Sequence, residues 1–189
     1  MSIFIALFFI TLNLPGISKQ INHEDYKEIN TGDLYVRVYN QGNIGGIYEW
    51  PTGSGNHHLW DCDLWVGAEI DGEYYVSAAD YGSNEWETEG WNFTGRNVSE
   101  FDVECVYHDW GGNNPGALGL RVIQRALSWS YGFSGNFIIY EFDVIYRKEY
   151  SKIGTYDEVK GLYFSILVDG DISGSDNTDP HLDDLIGYD

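Results

Sequence analysis

Along most of this chain apolar and polar residues alternate with a period of two, in short runs broken by Gly, Asn and Asp. That is the pattern of strands with one face buried and one face wet. In DLYVRVYN, Leu34, Val36 and Val38 point one way and Tyr35, Arg37 and Tyr39 the other. DLWVGAEI and YYVSA flank Asp71-Gly72, a pair favoured in the type I′ turn whose twist suits a hairpin. FDVECVYH predicts a further strand. LGLRVIQRALSWSYGF and NFIIYEFDVIYRKEY predict a long antiparallel hairpin turning around Ser134-Gly135-Asn136. GLYFSILVD reads as a last, central strand, because a continuous apolar run fits burial on both faces. Residues 81–97, YGSNEWETEGWNFTGRN, are the least strand-like stretch of the middle and predict a long surface loop, the kind that carries binding functions.

Helical periodicity is nearly absent, and the 23 glycines and regular turn signals fit short antiparallel strands. The fold class expected is all-β: an antiparallel β-sandwich of two packed sheets with long loops, over residues 19–168. No internal repeat or low-complexity linker divides it.

Before that region, an uncharged apolar run from Ile3 to Leu14 is followed by Pro15 and the small residues Gly16 and Ser18. It resembles a signal peptide spanning residues 1–18, although no Lys or Arg precedes it, and it is short for a membrane span. The other reading is a buried element of the domain, which the polar SKQINHEDYKE that follows disfavours. Export also fits the charge. Ten basic against thirty acidic residues leave −20, a field that repels nucleic acid and anionic bilayers and attracts cations such as calcium.

Cys62 and Cys105 are the two cysteines. Either they form one disulfide, which would contribute roughly 3–4 kcal/mol by closing a loop of that length, or they are two reduced, buried thiols in strands. No CxxC or spaced His pair argues for zinc.

The end of the chain, LVDGDISGSDNTDPHLDDLIGYD, holds seven aspartates from Asp169 to Asp189. Set on a twelve-residue calcium loop, Asp169, Asp171, Ser173, Ser175 and Asn177 fall at positions 1, 3, 5, 7 and 9, with Gly174 at the sharp turn. Pro180 stands where a closing bidentate Glu belongs, and the preceding element is a strand. An EF-hand is therefore excluded, and a looser calcium loop needs Asp179, Asp183 or Asp184 to fold back. The alternatives are a solvated acidic loop of turn-forming residues, or carboxylates of an active site. Leu185, Ile186 and Tyr188 are the kind of apolar residues that open another buried element, so the polypeptide is expected to continue beyond Asp189.

Within the 81–97 loop, Glu85, Glu87 and Glu89 alternate with Trp86 and Trp91, a string that suits sugar stacking and hydrogen bonding, or paired carboxylates of a glycan-active hydrolase. A half-exposed strand gives the same string without function. Trp60, Trp65, Trp110 and Trp129 lie in strand-like segments and are expected in the core. His57 and His58 are adjacent and on a strand cannot chelate one ion together. Motifs for nucleophilic, phosphoryl or dinucleotide chemistry are absent. Asn92 and Asn97 open glycosylation sequons.

NTGDLYVRVYNQGNIGG, YEWPTGSGNHHLWDCDLWVGAEIDG, GLRVIQRALSWSYG, NFIIYEFDVIYR and LYFSILVDGDI with DDLIGYD together resemble the amino-terminal region of large secreted β-rich proteins of environmental bacteria, many ending in a secretion-sorting or immunoglobulin-like domain. The resemblance implies export, a cell-surface or extracellular place, further domains in the same chain, and no assigned activity. The reading is thus a non-catalytic surface module with a structural calcium loop, suited to adhesion or to a polysaccharide or other extracellular ligand. A part in a glycan-active hydrolase is the alternative.

Overall fold

A computed structural model describes residues 26–79, 85–91, 98–111 and 114–170. The fold is an antiparallel all-β sandwich, as the alternation predicts. Four strands, β1 (Tyr26–Ile29), β2 (Tyr35–Tyr39), β3 (Gly46–Glu49) and β4 (His57–Leu59), make one sheet in chain order. β5 (Asp61–Ile70) and β6 (Glu73–Ala78) form the hairpin predicted around Asp71-Gly72, where both residues take positive φ (54° and 84°). β7 (Glu87–Trp91), β8 (Phe101–His108), β9 (Leu120–Ser128) and β10 (Ile139–Tyr146) form a second four-stranded sheet in the order β10-β9-β8-β7. β11 (Tyr163–Asp169) returns to pair with β5, giving the order β11-β5-β6.

The β10-β9-β8-β7 sheet is one layer; the other two sheets face it and are joined to each other along β5. Ile44 N–H donates to Cys62 O, and Leu64 N–H donates to Gly42 O. Between the layers lie Leu34, Val36 and Val38 from β2 and its approach, Leu64 and Val66 from β5, Tyr107 from β8, Val122 from β9 and Phe142 from β10. Ring contacts and hydrogen bonds cross the interface: Phe142 meets Phe164 at 5.3 Å, and Tyr140 O–H donates to Ile44 O at 2.7 Å. A buried carboxylate pins the seam. Asp109, at the end of β8, accepts from Ser77 Oγ on β6 and from the backbone N–H groups of Leu118, Gly119 and Leu120.

Three expectations are corrected. β11 is an edge strand among the described residues, with Tyr163, Leu167 and Val168 exposed, so its continuous apolar run does not mark burial on both faces. Part of the 81–97 loop is strand β7, whose Thr88 points inward while Glu87 and Glu89 lie half-buried on the other side. The tryptophans expected in the core are elsewhere: Trp60 and Trp65 are exposed, and Trp110 and Trp129 are half-buried.

Candidate functional site

The tryptophan that is buried is Trp86, read from sequence as a sugar-stacking ring. It is 3% exposed, its indole N–H donates to Leu64 O, and its ring meets Tyr107 edge-on at 5.3 Å. Trp91 packs against the core and lies 5.4 Å from the Lys27 ammonium. The glutamates beside them are engaged as well. Glu85 accepts the Ala78 N–H at 2.9 Å, and Glu89 receives Arg121 in a two-pronged pair at 2.7 and 2.8 Å. Glu87 is half-buried on β7 opposite His108. This strand therefore offers no open platform of rings, because packing has claimed both tryptophans.

One group of rings that do stand in solvent lies on loops at one end of the sandwich. A short 3-10 turn, Gly132–Asn136, follows β9, and it presents Phe133 at 84% and Tyr131 at 63% exposure. Trp50, at the end of β3, is 42% exposed, and its indole N–H donates to Asn136 Oδ1 at 3.1 Å. Trp129 and Phe133 flank Phe137 with ring centres 6.4 and 6.2 Å away. These loops are braced against one another. Asp33 N–H donates to Gly135 O and Thr52 N–H to Asp33 O, both at 2.8 Å. Gly32, at φ 79°, passes so close that an added Cβ would sit 2.6 Å from the Gly135 Cα, so only glycine fits there. Polar groups border the rings: His58 Nε2 meets Trp50 O at 2.9 Å, and Glu49 Oε1 accepts the Gly55 N–H at 2.6 Å. Sequence reasoning missed this cluster, since its members lie far apart along the chain.

The two cysteines are unbridged, which corrects the disulfide reading. Both side chains belong to the core, Cys62 on β5 and Cys105 on β8. Burial pushes the Cys62 thiol up to about 12, with Asp63 and Asp61 adding to it, and burial raises Cys105 further. Both therefore stay protonated and inert at neutral pH.

Of the candidate calcium ligands, only Asp169 falls among the described residues, where it ends β11 and its carbonyl accepts the Trp60 N–H at 2.9 Å. Asp171, Ser173, Ser175, Asn177, Asp179, Asp183 and Asp184 lie outside them, as do residues 1–18, Asn92 and Asn97. Among the described residues no three His, Cys, Asp or Glu side chains converge as a metal site would need.

Compared with known proteins, the chain matches no family model, no curated protein and no solved structure.

Proposed function

We propose that this protein is an exported β-sandwich module that binds a polysaccharide without cutting it, through the aromatic end of the sandwich, and that the stretch beginning at Asp169 holds calcium as a structural ion. The observation that carries the binding reading is the trio Trp50, Tyr131 and Phe133. A phenylalanine with five-sixths of its surface in water contributes little to folding, and clustered exposed rings are a feature of binding surfaces. Sugars present C–H faces that pack on flat rings, while Asn136, His58 and the loop backbone stand within reach of hydroxyl groups. The bracing at Gly32 and Gly135 holds the rings in place before a ligand arrives, which lowers the ordering cost of binding. A net charge of −20 favours neutral or amino sugars over uronic or sulfated ones.

Calorimetry against neutral, cationic and acidic polysaccharides tests this. Phe133→Ala and Trp50→Ala should each weaken binding about tenfold or more and leave the melting temperature near that of the parent. Binding to acidic glycans alone, or binding unaffected by both substitutions, overturns the reading. For the calcium loop, about 1 mM calcium should raise the melting temperature, and Asp169→Ala with Asp171→Ala should abolish the rise. An identical melt with and without chelator sinks that part.

A further inference from the structure

Among the described residues, the edge of β11 is unpaired and differs from the other sheet edges. β10 carries Glu141 and Asp143, β7 Glu87 and Glu89, and β1 Lys27 and Glu28; β6 starts with Glu73 and closes its open side at Ala78, whose N–H and C=O bond to Glu85, while β4 is only three residues long. Charge and shortness are the devices that keep an exposed edge from pairing with another chain. β11, YFSILVD, has no charge before Asp169, no proline and no bulge, and it keeps unbroken register with β5 from Tyr163 to Asp169. The direction of its backbone groups follows from β5. Leu64 turns both its N–H and its C=O toward the β6 side, to Gly42 O and from Ala79 N–H. Its neighbours Asp63 and Trp65 therefore face β11, where they oppose Leu167 and Ser165. Ile166 and Val168, alternating with those, turn their N–H and C=O to the open side.

We propose that this edge is the interface of a homodimer, in which two copies pair antiparallel about a two-fold axis at Ile166 and the two three-stranded sheets become one of six strands. Self-pairing there sets Ser165 opposite Leu167 and Tyr163 opposite Asp169 of the other copy. The strand's one charge thus lies opposite a tyrosine. The two copies of Asp169 end up about 20 Å apart along the pair, at some 3.4 Å per residue, which exceeds the screening length of about 8 Å at physiological salt. Tyr163 and Leu167 of one copy join those of the other on a face that already exposes Trp65, Tyr74 and Val76. The opposing term is the −20 carried by each chain, so added salt strengthens the dimer, the reverse of an ion-paired interface.

Sedimentation velocity of the full chain at about 50 and 500 mM NaCl, with amide exchange followed against protein concentration, tests the proposal. A dimer that tightens with salt is expected, with exchange at Ile166 and Val168 slowing as it forms. Leu167→Lys, at an exposed position, raises the dissociation constant about tenfold or more without moving the melting temperature. Adding Ser165→Glu, which the two-fold sets opposite the new lysine of the other copy, restores association. A monomer at both salt concentrations overturns the proposal, as does a dimer untouched by Leu167→Lys. So does a monomer whose Ile166 and Val168 amides are already slow, because a segment of the same chain then covers the edge. Open-ended aggregates in place of a dimer overturn it too.

Discussion

On the outer face of the β10-β9-β8-β7 sheet, one row across the strands reads Glu104, Arg125, Glu141; on the β11-β5-β6 sheet a corresponding row reads Tyr163, Gly67, Val76. In the first row the Arg125 guanidinium is clasped by Glu104 and lies 2.9 Å from Asp143 and 3.7 Å from Glu141, all of them largely shielded from water. Four residues back along β9, Arg121 is paired with Glu89. Both arginines of that face are paired with carboxylates of the same sheet. Among the described residues the second face has no such lattice: Tyr163, Trp65, Tyr74, Val76 and Leu167 stand in solvent beside an edge uncharged before Asp169. Both layers bury their inner faces alike, and the sequence difference between them lies outside. One outer face is closed by ion pairs, and the other is left bare among the described residues.

The largest way to break this contrast is at Arg125. Arg125→Met leaves Glu104, Glu141 and Asp143 gathered around no cation, and like charges held close in a partly dry site should cost on the order of 3 kcal/mol in urea unfolding. Arg125→Lys should recover only part of that, since an ammonium cannot bridge separate carboxylates as a planar guanidinium does. The next effect is at the seam. Asp109→Asn keeps the size of the side chain but turns an amide N–H₂ toward backbone donors, for an expected loss of about 2 kcal/mol. Burial raises the Asp109 carboxyl above its ordinary value, against the pull of the Ser77 and backbone hydrogen bonds. Its contribution is therefore fully present below the ordinary carboxylate range and is lost as pH rises through the raised value. Melts of the parent and Asp109→Asn from about pH 4 upward should converge as pH rises; a difference that grows with pH would show the opposite sign of shift.

How far the sequence discloses these features depends on how local each one is. Leu34, Val36 and Val38 are all buried, because a period of two records which side of a strand faces inward. Asp71-Gly72 is legible because the backbone there needs positive φ at both residues. Even Trp86 carries a signal, since it shares parity with inward Thr88 and opposes Glu87 and Glu89. The placement of β11 is not local: an uncharged run such as YFSILVD is the same string whether a strand lies between two others or at an edge with one face bare. The aromatic end is less legible still. Trp50 and Asn136 meet only because the loop at Gly32 and Asp33 brings the β3–β4 connection against the β9–β10 connection. The free thiols follow the same logic, since Cys62 and Cys105 are each inward by parity, which fixes their burial but not their pairing.

The smallest expected effect sharpens the contrast most. Tyr74 is three-quarters exposed on β6, opposite Glu69 of β5, and Val76 lies beside it on the same face. Tyr74→Ser with Val76→Thr should change the unfolding free energy of the monomer by less than about 0.5 kcal/mol, the range of surface substitutions that break no special feature. β-propensity is kept at Thr and reduced at Ser, so the residual cost should come from the strand and not from lost burial. A loss above about 1.5 kcal/mol would mean that these side chains are covered in the folded chain, as buried apolar groups are. The two outer faces would then both serve folding, and the bare one would no longer be the place to look for a partner.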